Sequence, residues 1–423
     1  MNPRELLLNS FQAALAAADP LKIIPTHLPS PPEGKTLVVG AGKAAAAMAQ
    51  AVEAHWPAKA NLEGIVITRY GHGLPTQKIA VIEAGHPLPD QHGELTTRAI
   101  LARVQTLNAN DLLLGLFSGG GSSLLSLPIT GVSVGELKDI TRQLLLCGAS
   151  IQEINTVRKH LSAVLGGRLA AACRAPIHCL IISDVTGDEP THIASGPCAP
   201  DPTTYADALA VIKHYAVHAS SHVMNILQNK SQHNEEETPK PGDPIFKNVK
   251  NCVIATAHQS LTAAEHFFRM HHITPLMLGD TVTGEAREVA KVYAAMAKEI
   301  RHYGKPFKPP VALISGGETT VTVKGHGRGG RNTEFLLSLA IALDGLKEIY
   351  ALACDTDGID GTEQNAGAIF TPDSLTRAHQ FGLNPNPLLN NNNAYTFFEQ
   401  LNDLLITGPT RTNVNDYRVV LIL

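Results

Sequence analysis

Three glycine turns in this chain carry the residue types that handle phosphate. The longest runs from Gly316-Gly317-Glu318-Thr319-Thr320 to Gly327-Arg328-Gly329-Gly330-Arg331-Asn332-Thr333-Glu334 and holds six glycines and two arginines. Glycine lets backbone approach a ligand closely. Arg331 stands where a helix begins, so its guanidinium and the helix's backbone N–H groups are expected to face one anion together. A glycine-rich hairpin with solvated arginines is the plainer alternative. The second turn, Gly40-Ala41-Gly42-Lys43-Ala44-Ala45, fits the loose dinucleotide pattern G-x-G-x-x-A. Lys43 inside the turn, and Arg69 instead of an acid at the end of the next strand, speak against a nicotinamide. Leu37 in place of the first glycine and Ala44 in place of Ser or Thr exclude a Walker loop. A lysine in the first turn of a helix is disfavoured by the helix dipole, so an anion is expected to compensate it. The third turn, Ser118-Gly119-Gly120-Gly121-Ser122-Ser123, flanks its glycines with hydroxyls and suits an anion cradle.

Other polar groups fall at suggestive spacings. Asn155, Arg158 and Ser162 share one face of a helix predicted over 151–172, with a solvated polar face as the alternative. Asp184 and Asp188, and likewise Asp355, Asp357 and Asp360, lie just past strands, where carboxylates that bind magnesium or accept a proton belong. Aspartates also favour turns for their own sake. The 19 histidines form no metal-ligand spacing such as H-E-x-x-H.

The elements that must position these groups alternate. Short apolar runs predict strands over 36–39, 64–68, 79–83, 111–117 and 177–182, separated by helical patterns over 44–53, 93–104, 134–147 and 151–172. Strands over 251–256, 274–278, 311–314, 349–353 and 418–423, with helices over 260–270, 284–302 and 334–342, repeat the pattern. Such alternation predicts an α/β fold with parallel pairing, crossover helices and ligands beyond the carboxyl ends of the strands. Residues 228–244 are polar with three prolines, the composition of a linker. The expected boundary lies near Pro241, giving domains 1–240 and 241–423.

Composition narrows the partners. A net charge of -4 and 17% charged residues over 423 positions argue against a polyanion-binding surface, so no nucleic acid is expected. Six scattered cysteines without a C-x-x-C pair suit a reduced cytoplasmic protein. The amphipathic N-terminal pattern ending near Ala18 lacks an apolar leader, and no run reaches the length of a membrane span. The expectation is a soluble, unsecreted protein with no membrane partner.

The three turns, with Ala84-Gly85-His86-Pro87-Leu88-Pro89-Asp90, Asn155-Thr156-Val157-Arg158-Lys159-His160-Leu161-Ser162, Ser183-Asp184-Val185-Thr186-Gly187-Asp188, Ala194-Ser195-Gly196-Pro197, Thr356-Asp357-Gly358-Ile359-Asp360-Gly361 and Thr412-Asn413-Val414-Asn415-Asp416, resemble the glycerate 2-kinase family nearly end to end and in the same order. Its members also go under the provisional name hydroxypyruvate reductase, and their C-terminal part is called MOFRL, here about residues 310–420. The resemblance implies an ATP- and magnesium-dependent kinase giving 2-phospho-D-glycerate from D-glycerate. It also implies an N-terminal Rossmann-like α/β/α sandwich domain, a smaller C-terminal α/β domain and an active site in the cleft between them. Lys43 and Arg331 match the catalytic positions. Gly40, Gly42, Ser118, Gly119, Gly120, Gly121 and Ser122, with Asn155, Arg158, Ser195, Gly316, Gly317, Glu318 and Asn332, fall among the substrate- and phosphate-binding positions. Asp184, Asp188, Asp355 and Asp357 are the candidates for metal ligand or base. The resemblance leaves a homodimer among the possibilities. Three departures stand out: Thr186 where proline is usual, Arg411 where glycine is usual, and Thr333 where glutamine is common. Two rival readings remain, an NAD(P)-dependent hydroxypyruvate reductase and a non-catalytic binder of a sugar-acid phosphate.

Overall fold

The computed structural model describes residues 2–233 and 237–423. They form two compact units, Pro20–Ile254 and Ala255–Leu423, the latter joined by the first 19 residues.

The N-terminal unit is built on six strands: β1 (Thr36–Ala41), β2 (Leu62–Arg69), β3 (Ile79–Ala84), β4 (Leu112–Phe117), β5 (Ile177–Ile182) and β6 (Val249–Ala255). Their order is β3-β2-β1-β4-β5-β6, that of the doubly wound dinucleotide folds. The ladders from β3 across to β5 are parallel. Strands β1 and β4 are buried along their whole length, which is why both read as unbroken apolar runs. Leu37, Val39 and Ala41 meet Ile65, Ile67, Leu113 and Phe117 in the core on one face. Connections leave β1 toward β2 and β4 toward β5, in opposite directions, so a crevice opens at the carboxyl ends of β1 and β4.

Three details differ from the sequence expectation. The expected boundary at Pro241 lies inside this unit, because β6 extends the first sheet beside β5 rather than starting the second. Helix Ser221–His233 takes up the first part of the expected linker; residues 234–236 lie outside the described residues. Helix Ile151–His160 stops well short of residue 172. Gly166 and Gly167, with φ of +61° and +83°, turn the chain into the short helix Arg168–Ala171.

A buried ionic network fastens the segment around residue 238. Lys159 Nζ donates to Asp201 Oδ1 at 3.2 Å and to Thr191 Oγ1 at 2.9 Å, while Thr238 Oγ1 donates to Asp201 Oδ2 at 3.1 Å. Glu237 accepts from Tyr205 N at 2.8 Å and Lys240 Nζ at 3.0 Å and lies 3.4 Å from His160 Nε2. Burial opposes its ionisation, but these donors prevail and hold its pKa down at about 2. A depressed carboxyl pKa gives stability that is complete above the unfolded value and is lost as pH falls through the folded one. Glu237→Gln is therefore expected to have a lower urea midpoint than the unaltered chain at pH 7, with the two curves converging as the pH falls from 4.5 to about 2. A constant gap over that range in equilibrium urea melts would contradict this.

The C-terminal unit carries β7 (Thr274–Gly279), β8 (Gly284–Glu285), β9 (Val311–Ser315), β10 (Thr319–Thr320), β11 (Ile349–Asp355), β12 (Gly367–Phe370), β13 (Leu404–Leu405) and β14 (Asp416–Ile422). The larger sheet has the order β13-β12-β11-β14-β9-β7, and β8 pairs with β10. Only β7 and β9 pair in parallel there; the other ladders are antiparallel. Parallel pairing, expected from alternation, fails because β14 enters between β9 and β11 and runs against both. Helices Ala286–Tyr303 and Arg331–Leu343 cover one face through Ala290, Ala294, Phe335 and Leu339. On the other face, helix Pro3–Ala17 lays Leu7, Phe11 and Ala14 on Leu261, Ala264 and Phe268 of helix Ala257–Met270. Tyr417 Oη donates to Ser10 Oγ at 2.9 Å, and Thr412 Oγ1 to the Ala18 carbonyl at 2.7 Å. The opening helix thus belongs to the second unit, where its apolar stripe finds cover.

Candidate active site

At the crevice of the first sheet, two glycine turns are sewn together. Ser118 N donates to the Ala41 carbonyl at 3.1 Å and Lys43 N to the Gly119 carbonyl at 2.9 Å. Ala44 N, just before helix Ala45–His55, donates to Ser118 Oγ at 3.0 Å. Gly42, at φ +141°, has no room for a side chain: a methyl there would lie 2.1 Å from Ser118 Oγ. The N–H groups of Lys43 and Ala44 are thus taken up by the neighbouring turn. Gly40 lies within β1, where a methyl would meet the Leu116 carbonyl at 2.2 Å, so its task is strand packing.

The side chains lead outward from this seam. A methyl on Gly120 would sit 2.7 Å from His86 Nε2 and 3.5 Å from Lys43 Cγ, so Lys43 and His86 flank the Gly119-Gly120-Gly121 turn. His86 was not singled out from the sequence. Its signal was there in Ala84-Gly85-His86-Pro87, the exit of β3. Ser122 Oγ accepts from Ser195 Oγ at 2.8 Å. Ser195 is fully buried, and it follows Ala194 in the left-handed region, at φ +57° and +50°. Such strain costs of order 1 kcal/mol per residue and gathers at ligand sites.

Asn155 and Arg158 are buried rather than solvated. Asn155 Nδ2 donates to the His192 carbonyl at 3.4 Å, and its Oδ1 accepts from Arg158 Nη1 at 3.4 Å. Ser162 lies beyond the end of their helix and accepts from Val164 N and Leu165 N at 3.2 Å each. Asp184 and Asp188 lie on the turn after β5, Asp184 half-buried and Asp188 at φ +55°.

The second unit assembles a different site around Arg331. Nε donates to both oxygens of Asp416, at 3.0 and 2.9 Å, and Nη2 to Asp355 Oδ2 at 2.8 Å. Nη1 stands 3.4 Å from Glu318 Oε1, whose side chain is exposed. These carboxylates outweigh the cost of burial and hold the guanidinium pKa well above its ordinary value. Asn332 Nδ2 donates to Asp416 Oδ1 at 2.8 Å, and the fully buried Arg418 pairs with Asp416 and donates to the Gly316 carbonyl at 2.9 Å. Gly317 joins the same turn, its carbonyl accepting from Asp416 N at 3.3 Å.

The expected open helix start is also occupied. Asp360 accepts from Asn332 N at 3.0 Å, Thr333 N at 2.9 Å and Thr333 Oγ1 at 2.8 Å, so the protein's own carboxylate takes the place foreseen for a ligand. Burial pushes the Asp360 carboxyl pKa up despite these donors. Gly330 lets it come close, since a methyl there would stand 2.3 Å from Asp360 Oδ1. Thr333, the departure from the usual glutamine, also accepts from Gly330 N at 3.0 Å and so closes the first turn. Asp355 Oδ1 accepts from Asp357 N and Asp357 Oδ1 from Ile359 N, which ties both to the turn itself.

A clamp unforeseen from the sequence holds the glycine loop. Asn392 Oδ1 accepts from Lys324 N and Gly325 N, Asn391 Oδ1 from His326 N, and Asn393 Oδ1 from Arg328 N, all between 2.8 and 3.0 Å. Asn392 Nδ2 donates to Glu334 Oε2, whose other oxygen accepts from Arg287 Nε. The signal was the run Asn390-Asn391-Asn392-Asn393. Asparagine supplies the amide acceptors that a loop without its own ladder lacks.

A lysine turn sewn to a glycine-serine turn stands at the switch point of the first sheet, where α/β folds of this class place their ligands. The comparisons agree. Residues 6–228 match the domain of unknown function DUF4147, and residues 311–416 the MOFRL family. A protein of Agrobacterium vitis with the provisional name hydroxypyruvate reductase is 47% identical over 425 residues, covering 100% of this chain and 95% of its own. The D-glycerate 2-kinase of Thermotoga maritima is 39% identical over 422 residues, covering 99% and 98%. The crystal structure of glycerate kinase from Thermotoga maritima superposes with a TM-score of 0.87 at 39% identity, over 99% of each chain. The chain belongs to the glycerate 2-kinase family.

Proposed function

We propose that this protein transfers the γ-phosphoryl group of ATP to the 2-hydroxyl of D-glycerate, giving 2-phospho-D-glycerate, and does so in the cytoplasm. The observation that carries the reading is Lys43 set against the Gly119-Gly120-Gly121 turn at the switch point of a chain similar throughout its length to a D-glycerate 2-kinase. Phosphoryl transfer asks the protein for positioning and charge rather than for a nucleophile. In this reading Lys43 and Arg331 each serve phosphoryl transfer, and the polar residues around Ser122 hold the acid.

Among the described residues no group of three or more His, Cys, Asp or Glu is arranged to hold a metal. A magnesium ion carried by a nucleotide needs only one or two protein carboxylates, with phosphate and water oxygens completing its octahedron. Asp184 and Asp188, two carboxylates on one turn, fit that demand and would hold it. Bound there, the ion would neutralise charge on the phosphate oxygens. Asp355 and Asp357 are committed to Arg331 and to their own turn.

The test is an assay with ATP, magnesium and D-glycerate coupled to enolase, which accepts only the 2-phosphate. Glycerate-dependent formation of phosphoenolpyruvate is the expected result. Oxidation of reduced nicotinamide by hydroxypyruvate without ATP would replace the kinase with a reductase.

A further inference from the structure

Arg158 stands apart from the other buried cations. Its neighbour Lys159 meets Asp201, Arg418 meets Asp416, and Arg331 meets Asp355 and Asp416. Arg158 is 9% exposed, and among the described residues its guanidinium has one hydrogen-bond acceptor, Asn155 Oδ1 at 3.4 Å, and no carboxylate. Burial alone draws its pKa down to about 10, which leaves it charged at neutral pH. Burying an uncompensated guanidinium costs a fold several kcal/mol. That cost makes sense where a ligand supplies the missing anion.

The surroundings are made for a small one. Arg158 lines a cavity of about 10 Å³ together with Ser122, Ser123, Ser126, Thr141 and Ser162. Ser126 Oγ is buried there without a hydrogen-bond partner. Ser122 is the residue held by the strained Ser195, and it ends the turn that Lys43 flanks. A carboxylate presents two coplanar oxygens to a guanidinium fork. The cavity beside it has room for about one water-sized group, so only the tip of a ligand's anionic group would enter it.

We propose that Arg158 is the receptor for the carboxylate of the hydroxy-acid substrate, with Asn155 orienting the guanidinium and the Ser122 and Ser126 hydroxyls completing the shell. This rests on the kinase reading and names which group holds the acid. It makes Arg158 the determinant that separates a hydroxy acid from a neutral polyol.

Arg158→Met and Arg158→Lys test it, with KM for D-glycerate and for ATP and the ligand-free melting temperature as readouts. In Arg158→Met the KM for D-glycerate is expected to rise about 100-fold while that for ATP stays within about twofold. The melting temperature is expected not to fall, because the substitution removes an uncompensated charge; a structural arginine would show the opposite. Discrimination between D-glycerate and its uncharged amide should collapse in the same variant. If Arg158→Met does not fold, Arg158→Lys carries the test, with an expected rise in KM of about tenfold from loss of the fork. A KM for D-glycerate within about threefold of the unaltered protein's, or a rise confined to ATP, overturns the proposal. Absence of glycerate-dependent turnover in the unaltered protein would sink the kinase reading instead. The receptor would then be judged by thermal stabilisation with D-glycerate and with inorganic phosphate. Stabilisation by the carboxylate that disappears in Arg158→Met sustains it, and equal stabilisation of both proteins ends it.

Discussion

Replacing Lys43 by methionine is expected to lower kcat by about 10³-fold, with the melting temperature little changed. Methionine keeps the length of the stem that lies against Gly120 and removes only the ammonium. The backbone bonds that sew the two turns, from Lys43 N to Gly119 and from Ala44 N to Ser118, do not involve the side chain. The loss should therefore appear in turnover rather than in folding, and rescue by arginine should be partial because its fork is the wrong shape for a point contact. A variant that turns over within about tenfold of the unaltered enzyme would remove Lys43 from the chemistry.

Arg331 presents a different case. Viewed from the sequence, Arg331→Ala is a clean probe: slower turnover with an intact fold. The structure predicts both effects together. Removing the guanidinium takes a buried cation from Asp355 and leaves Asp416 with Arg418 and Asn332, and breaking such a pair costs about 3 kcal/mol. Arg331→Ala should therefore lose about 10³ in kcat and also unfold at a lower urea concentration. Arg331→Lys should recover part of the stability and little of the rate, since one ammonium lacks the fork that reaches Asp416 and Asp355 together. Combining Lys43→Met with Arg331→Ala examines whether both serve one step. Residues acting as a unit lose less together than the product of the single losses. Strictly multiplicative losses would assign them to separate steps.

The parts legible in the sequence were those governed by local rules. Strands β1 and β4 appear as unbroken apolar runs because they are sealed on both faces, and Gly42 appears because its turn needs a conformation and a closeness that no side chain permits. What stayed hidden depends on distant partners. The same aspartates that mark strand ends have separate fates: Asp360 fills the start of helix Arg331–Leu343, and Asp355 fixes the Arg331 fork. Nothing near Asp360 in sequence announces Asn332 as its donor. The asparagine clamp escaped for the same reason, since its acceptors lie more than sixty residues from the N–H groups they receive. Arg158 was legible as a polar helix position, but its burial beside hydroxyls was not, because helical periodicity says which residues share a face and not what covers it.

Helix Pro3–Ala17 packs on residues that follow it by about 250 positions, and β14 completes the sheet it covers. On the ribosome, then, the first helix emerges with its apolar stripe unmatched and must wait while the entire β1–β6 unit is made. Closing so long a span delays the contact, and the stripe stays open to association with other chains meanwhile. Nascent chains halted before β14 would carry the opening helix without its finished platform, which makes their aggregation, rather than their activity, the first consequence of premature termination.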